Sequence, residues 1–163
     1  MKQKFLKSIL HYNKASGFFT WIAAPRRGRS YVGKRAGVIG NHGYLVIGIS
    51  GKTYLAHRLA WLYVTGEFPK NQVDHKNRKR TDNRWLNLRE ASYGENLANS
   101  KIKSGKKIKG IQIHKPSGRY RVQLGKNGLK VHVGYFDNEK EAGMAAIKAS
   151  KRLHGKFSNP MGI

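Results

Sequence analysis

Apolar and polar positions alternate in two different ways along the chain. Before residue 100 the apolar residues come in short stretches of mixed period. After residue 109 they alternate with polar ones in runs of period two. Phe5, Ile9 and Leu10 share one helical face, which predicts a short helix over 2–12. Ser16-Gly17 turns the chain, and FFTW (18–21) reads as a strand. The Gly- and Arg-rich stretch APRRGRSYVGKRAG (24–37) reads as an exposed basic loop. GYLVIGI (43–49) and KTYLAH (52–57) flank Ser50-Gly51, a hairpin signal. HRLAWLYVTG (57–66) reads as a helix with Leu59, Leu62 and Tyr63 on one face. Gly66 is its stop signal, and Pro69 lies beyond.

A strand is expected over 72–75, ending at Asp74-His75. A polar loop and a second strand, LREA (88–91), follow. Ser92 and Glu95 have the spacing of a capping box, so a helix opens at Tyr93 with Asn96 in its first turn. KIKSGKKIK (101–109) carries five lysines and no acid. It reads as a linker, either lying along phosphates or serving as a solvated hinge. GIQIH (110–114), RYRVQL (119–124) and LKVHVGYF (129–136) then read as strands of one antiparallel sheet. Asn138 and Glu141 open a last helix with Ala142, Ala145, Ala146, Ala149 and Leu153 on one stripe, and Gly155 closes it. The fold class is α+β, with domains at 1–100 and 110–160 joined by 101–109.

Charge changes the picture. The chain has 163 residues, with 33 Lys and Arg against eight Asp and Glu, a net charge of +25. A polyanion is the first partner to consider. Aromatics at 10% distinguish the chain from a disordered basic tail. The absence of cysteine excludes disulfides and thiolate-bound zinc, and fits a reducing cytoplasm. No apolar run approaches the roughly 20 residues that cross a bilayer, so no membrane partner is expected. MKQKFLKSIL is too short and too interrupted by lysine for a signal peptide.

Within this basic chain, VDHKNRKRTDNRWLNLREASYGENLANS (73–100) sets one carboxylate beside one imidazole and places amides after them. Hydrolysis of a phosphodiester needs a base, a group to stabilise the leaving 3′ oxygen, and an aligned phosphate. An unperturbed histidine pKa near ~6.5 suits the first task. Mg²⁺ suits the second, because it takes oxygen ligands and keeps several waters. Neighbouring residues on a strand point to opposite faces, so Asp74 and His75 must have different tasks. Asn96 could bring its oxygen to the same ion as Asp74.

DHKNRKRTDNRWLNLREASYGEN resembles the core of the HNH endonucleases of phages and of intron-encoded homing enzymes, and YLAHRLAWLYVTGEFP resembles the segment leading into it. The resemblance implies a ββα-metal core at about 70–100, with His75 as general base and Asp74 and Asn96 as metal ligands. Asn87 matches the central Asn that braces the loop and helps hold the histidine. Asn96 stands where many relatives carry a histidine. That favours one Mg²⁺ or Mn²⁺ per site over Zn²⁺. With no structural zinc, packing must hold the core, and Trp61 and Trp85 are the candidates. Asn83 reads as a loop-former after Asp82, and His57 as a packed or capping histidine. Arg84 and Arg89 read as phosphate or loop-bracing contacts.

Residues 109–160 resemble the APETALA2-type DNA-binding domain, including the GYF that closes the third strand. In that family the sheet enters the major groove. Alternation puts Ile111, Ile113, Tyr120, Val122, Leu124, Val131 and Val133 under the helix. Gln112, His114, Arg119, Arg121, Gln123, Lys130 and His132 are left on the other face, which carries no acid.

The expected function is a phage- or homing-type HNH endonuclease acting on double-stranded DNA. It would be a nicking monomer in the host cytoplasm, leaving 5′-phosphate and 3′-hydroxyl ends. One rival is a DNA-binding regulator with a relic HNH unit. Another is an RNA-binding structural protein, which the metal-ligand set and the lack of exposed aromatic pairs oppose.

Overall fold

A computed structural model describes residues 1–23, 31–102 and 107–162. It divides into two compact units, Met1–Glu90 and Ala91–Ile163. The basic loop expected at 24–37 and the linker expected at 101–109 lie partly outside the described residues.

The first unit opens with α1 (Gln3–Ile9) and passes directly into β1 (Leu10–Tyr12). The helix expected over 2–12 is therefore too long. Leu10 and Tyr12 are buried as strand residues, paired with Trp21 and Phe19 of β2 (Phe19–Trp21). The buried residue of α1 is Leu6, while Phe5 is 45% exposed. The expected helical face was wrong because it borrowed Leu10 from the strand. β3 (Arg35–Ala36) adds to the β1–β2 ribbon, so the end of the expected basic loop is a strand with Ala36 in the core.

β4 (Val38–Ile39), β5 (Leu45–Ile49) and β6 (Lys52–Leu55) form a second antiparallel sheet. β5 and β6 turn at Ser50 and Gly51, both with positive φ, the tight hairpin turn that the sequence signals. α2 (Ala56–Thr65) follows and stops at Gly66, whose φ of 94° is left-handed. β7 (Gln72–His75) and β8 (Leu88–Ala91) form a two-stranded ribbon. A 3₁₀ turn, Trp85–Asn87, leads into β8. The core joins Leu6, Phe19, Ile47, Ile49, Leu59, Leu62, Val73 and Leu88. Trp61 and Trp85 pack against it with ring centroids 5.2 Å apart.

The second unit holds α3 (Tyr93–Asn99), β9 (Ile111–Ile113), β10 (Tyr120–Lys126), β11 (Leu129–Phe136) and α4 (Glu139–His154). Ser92 and Glu95 form the full capping box on α3. The sheet order is β11-β10-β9, all antiparallel. Ala142 and Ala146 of α4 close on Val122, with Tyr120, Val133, Phe136, Ile111 and Ile108 around them. Small side chains let the helix approach the sheet. Ile113, expected under the helix, is 63% exposed, because it lies at the sheet end. The register slips between Val122 and Gln123, so Val122 faces Gly134 while Gln123 faces His132. This bulge reverses the phase of β11 and turns Tyr135 onto the face of Arg121. Among the described residues no helix is long and apolar enough to cross a membrane.

Candidate active site

The first unit gathers a polar site at the end of β7. Val73, Asp74 and His75 are all buried there. Asp74 Oδ2 accepts from Arg89 Nε at 2.8 Å and lies 2.7 Å from Arg89 Nη2. Arg89 comes from β8, beside β7 in the ribbon. Arg89, expected to contact phosphate or brace the loop, is a nearly buried guanidinium paired with Asp74.

His75 Nε2 lies 3.0 Å from Asn83 Oδ1. Its ring meets the edge of His57 at a centroid distance of 5.0 Å, and Tyr44 lies 5.9 Å away. Burial pushes the His75 imidazole below its ordinary 6.5, against the opposing pull of the Asn83 hydrogen bond and the Asp74 carboxylate. Histidine in that state is neutral at physiological pH. His57 is held lower still, at about 3, by burial and then by His75 and Arg58. It is a packed histidine of α2, and its Nδ1 is buried without a hydrogen-bond partner.

The loop after His75 closes on itself. Arg78 N donates to His75 O at 2.8 Å, with Arg78 in the left-handed region at φ 61°. Asn87 Oδ1 accepts from Asn77 N at 3.0 Å, and Asn87 Nδ2 donates to Asn77 Oδ1 and to Asp82 O at 3.0 and 2.7 Å. Asn77 Nδ2 donates to Asp82 Oδ2 at 2.6 Å. Asn87 therefore braces the loop through Asn77 and Asp82. Arg84 forks onto Asp82 from Nε and Nη2 at 2.8 and 2.6 Å. That contact holds the Asp82 carboxyl at about 2. The Arg84 side chain is 56% exposed and still presents charge to solvent.

Asn83 is the residue that sequence reasoning underrated. It is 1% exposed, and its backbone oxygen accepts from Tyr12 Oη at 2.6 Å. The Asp-Asn-Arg triplet at 82–84 marked a turn, and nothing local shows that the turn aims Asn83 at a residue eight positions back. Asn96 sits on α3 in the second unit, its N–H bonded to Ser92 O at 3.0 Å.

Asp74 in the first unit carries a carboxylate and Asn96 in the second an amide, both donor types that a hard cation accepts. Among the described residues no group of three or more His, Cys, Asp or Glu is placed to hold a metal.

On the outer sheet face Arg121 Nη2 donates to Gln112 Oε1 at 2.9 Å. Arg119 Nε pairs with Asp137 at 2.7 Å. His114 Nδ1 lies 2.8 Å from Ser117 Oγ. Tyr135 stands between His114 and His132, 5.0 Å from each ring. Gln112, Arg119, Lys130 and His132 are exposed, and His114, Arg121 and Gln123 half-buried. Gln123 also lines a groove with Tyr93, Leu97 and Leu129. The face carries more aromatic surface than the alternation predicts, because the bulge adds Tyr135.

Two comparisons bear on this geometry. The HNH endonuclease family model matches residues 54–98, which span β6, α2, β7, β8 and α3. A protein of Acanthamoeba polyphaga mimivirus described as an uncharacterized HNH endonuclease is 28% identical over 160 residues, 95% of this chain and 82% of the relative. No solved structure matches. The chain thus carries, over residues 54–98, a domain matched by the HNH endonuclease family model, and nuclease is the class of activity these similarities support.

Proposed function

We propose that the chain is a DNA endonuclease of the phage or homing type, with His75 as general base. The observation that carries this reading is the buried His75, kept neutral and bonded to Asn83, directly after Asp74 at the end of β7. His75 takes the proton from an attacking water. Asn87 fixes the loop that holds the histidine's backbone. Arg84 and the surplus of lysine and arginine hold the phosphate backbone.

Asp74 and Asn96 would hold the cation, Mg²⁺ or Mn²⁺ by their oxygen chemistry. A bound cation supplies Lewis-acid stabilisation of the leaving 3′ oxygen. The second unit acts as an APETALA2-type reader of duplex DNA through the outer face of β9–β11. A tethered reader raises the local concentration of a small nuclease at chosen sites. One active site makes a nick by a monomer the default product.

A second reading, a DNA-binding regulator with a relic nuclease unit, is favoured by one observation. Arg89 already neutralises Asp74, as it would in a purely structural pair. The two readings separate on supercoiled plasmid carrying DNA of the source genome, with Mg²⁺. The nuclease produces open circles that ligase reseals, which requires 5′-phosphate and 3′-hydroxyl ends. The regulator binds the plasmid and leaves it supercoiled.

A further inference from the structure

We propose that Arg78 is a phosphate ligand of the nuclease site, whose guanidinium keeps a nitrogen unpaired for a phosphodiester oxygen of DNA bound beside His75. This inference rests on the reading of the chain as a nuclease.

The backbone gives the first observation. Among the described residues other than glycine, Ser50, Arg78 and Asn127 have positive φ, at 50°, 61° and 51°. Ser50 and Asn127 each precede a glycine in a two-residue hairpin turn, and that turn demands the conformation. Arg78 stands in no hairpin turn. It lies in the loop between His75 and Asn83, in a left-handed backbone that a long side chain avoids. The loop is pinned around it. Arg78 N donates to His75 O at 2.8 Å, and Lys79 N donates to Asn77 Oδ1 at 3.0 Å. Glycine would make the same turn without strain.

The side chain gives the second. Arg78 Nη1 is buried, and it has no hydrogen-bond partner among the described residues. A guanidinium nitrogen removed from water without an acceptor is unfavourable. Four other arginines of the unit bond to the protein. Arg58 donates to Asn71 O and Pro69 O, Arg80 to His42 O, Arg84 to Asp82 and Arg89 to Asp74. Lys76, Lys79 and Arg80 of the same loop are exposed, and they supply diffuse charge without any buried member. Two unfavourable features therefore meet in one residue, three positions after His75. Strain held at a single residue of a site points to a task for its side chain. A guanidinium fork matches the oxygens of a phosphate, and a half-buried setting strengthens the attraction.

The test compares the full chain of the wild type with Arg78→Gly and Arg78→Lys in three measurements. The first is thermal melting without DNA. Arg78→Gly should raise the midpoint by roughly 2–4 °C, because it relieves the backbone and removes the buried donor. A lower midpoint overturns the proposal, since the side chain would then serve the fold. The second is plasmid cleavage with Mg²⁺. Arg78→Gly should lower kcat roughly 100-fold. Arg78→Lys keeps the charge and loses the fork, and should lower kcat about tenfold, the worth of one charge-assisted hydrogen bond. Cleavage by Arg78→Gly at the wild-type rate overturns the proposal. The third is the Arg78 Nε–H signal of the ¹⁵N-labelled wild type, assigned by its loss in Arg78→Lys. It is followed while a short duplex is added in chelator, so that binding is read apart from cleavage. The signal should shift as the duplex binds, and a signal unmoved at saturation overturns the contact. If the wild type cuts no DNA, the nuclease reading fails, while the titration still decides whether Arg78 meets the phosphate.

Discussion

Arg89 grips Asp74 at one carboxylate oxygen, with Nε at 2.8 Å and Nη2 at 2.7 Å from Oδ2. Both side chains are nearly buried, at 11% and 5% exposure. Removing one partner of such a pair takes the facing charge from the other where little water reaches it. Asp74→Ala should therefore cost about 3–5 kcal/mol of stability, against less for Asp74→Asn, which keeps an acceptor. Urea denaturation without metal measures both. A loss below about 1 kcal/mol in the Ala variant would leave Asp74 without this structural task.

Acid should destabilise the first unit through its buried histidines. Below pH 6.5 the unfolded chain takes a proton on His57, while the folded chain resists until about pH 3. The unfolded state then binds more protons, so stability falls as pH falls through that window, by up to about 1.4 kcal/mol per pH unit for His57 alone. His75, also lowered by burial, adds to the slope in the same direction. Denaturation midpoints from pH 7 to pH 5 measure it. His57→Phe should flatten the curve, and an unchanged slope in that variant would assign the effect elsewhere.

Gly17→Ala should destabilise by about 2 kcal/mol or more and slow any cleavage, because the new Cβ meets Arg84 N at 2.4 Å in a left-handed backbone. Gly118→Ala is the control. Its φ is also positive, at 67°, but nothing lies within 4 Å, so only the conformational cost of about 1 kcal/mol applies. Equal melting shifts in the two variants would argue against the hairpin pressing on the Asn83 loop.

Much of this organisation was legible in the sequence. Turns and caps with a single chemical meaning read correctly: Ser50-Gly51, Gly66, and the Ser92 and Glu95 box. The candidate site was legible as far as the strand that ends at Asp74 and His75, since strand and loop differ sharply in composition there. What escaped depends on pairing between distant segments. The helix over 2–12 failed because Leu10 and Tyr12 answer to Trp21 and Phe19, not to their own helical face. Tyr135 escaped because one bulge residue inverts the alternation of β11. Asn83 escaped because its partners are His75 and Tyr12, and neither is set by local spacing.

On the sheet proposed to read DNA, two kinds of contact should part company. Lys130→Ala removes an exposed charge, and should lower the slope of log affinity against log salt by about one without changing sequence preference. Arg121→Ala removes the guanidinium paired with Gln112, and should cost about 1–3 kcal/mol on a preferred site while sparing non-specific binding. Fluorescence anisotropy on specific and random duplexes across a salt series measures both. Identical losses on the two duplexes would make Arg121 a phosphate contact.

The most direct test of the central claim is conversion of supercoiled plasmid carrying source-genome DNA, by wild type and by His75→Ala, each with Mg²⁺ and with chelator. The account predicts open circles from the wild type with Mg²⁺ alone, and none from His75→Ala although it still binds the plasmid. Cleavage by His75→Ala at the wild-type rate would contradict it, as would a wild type that binds the duplex tightly and cuts it with no divalent ion.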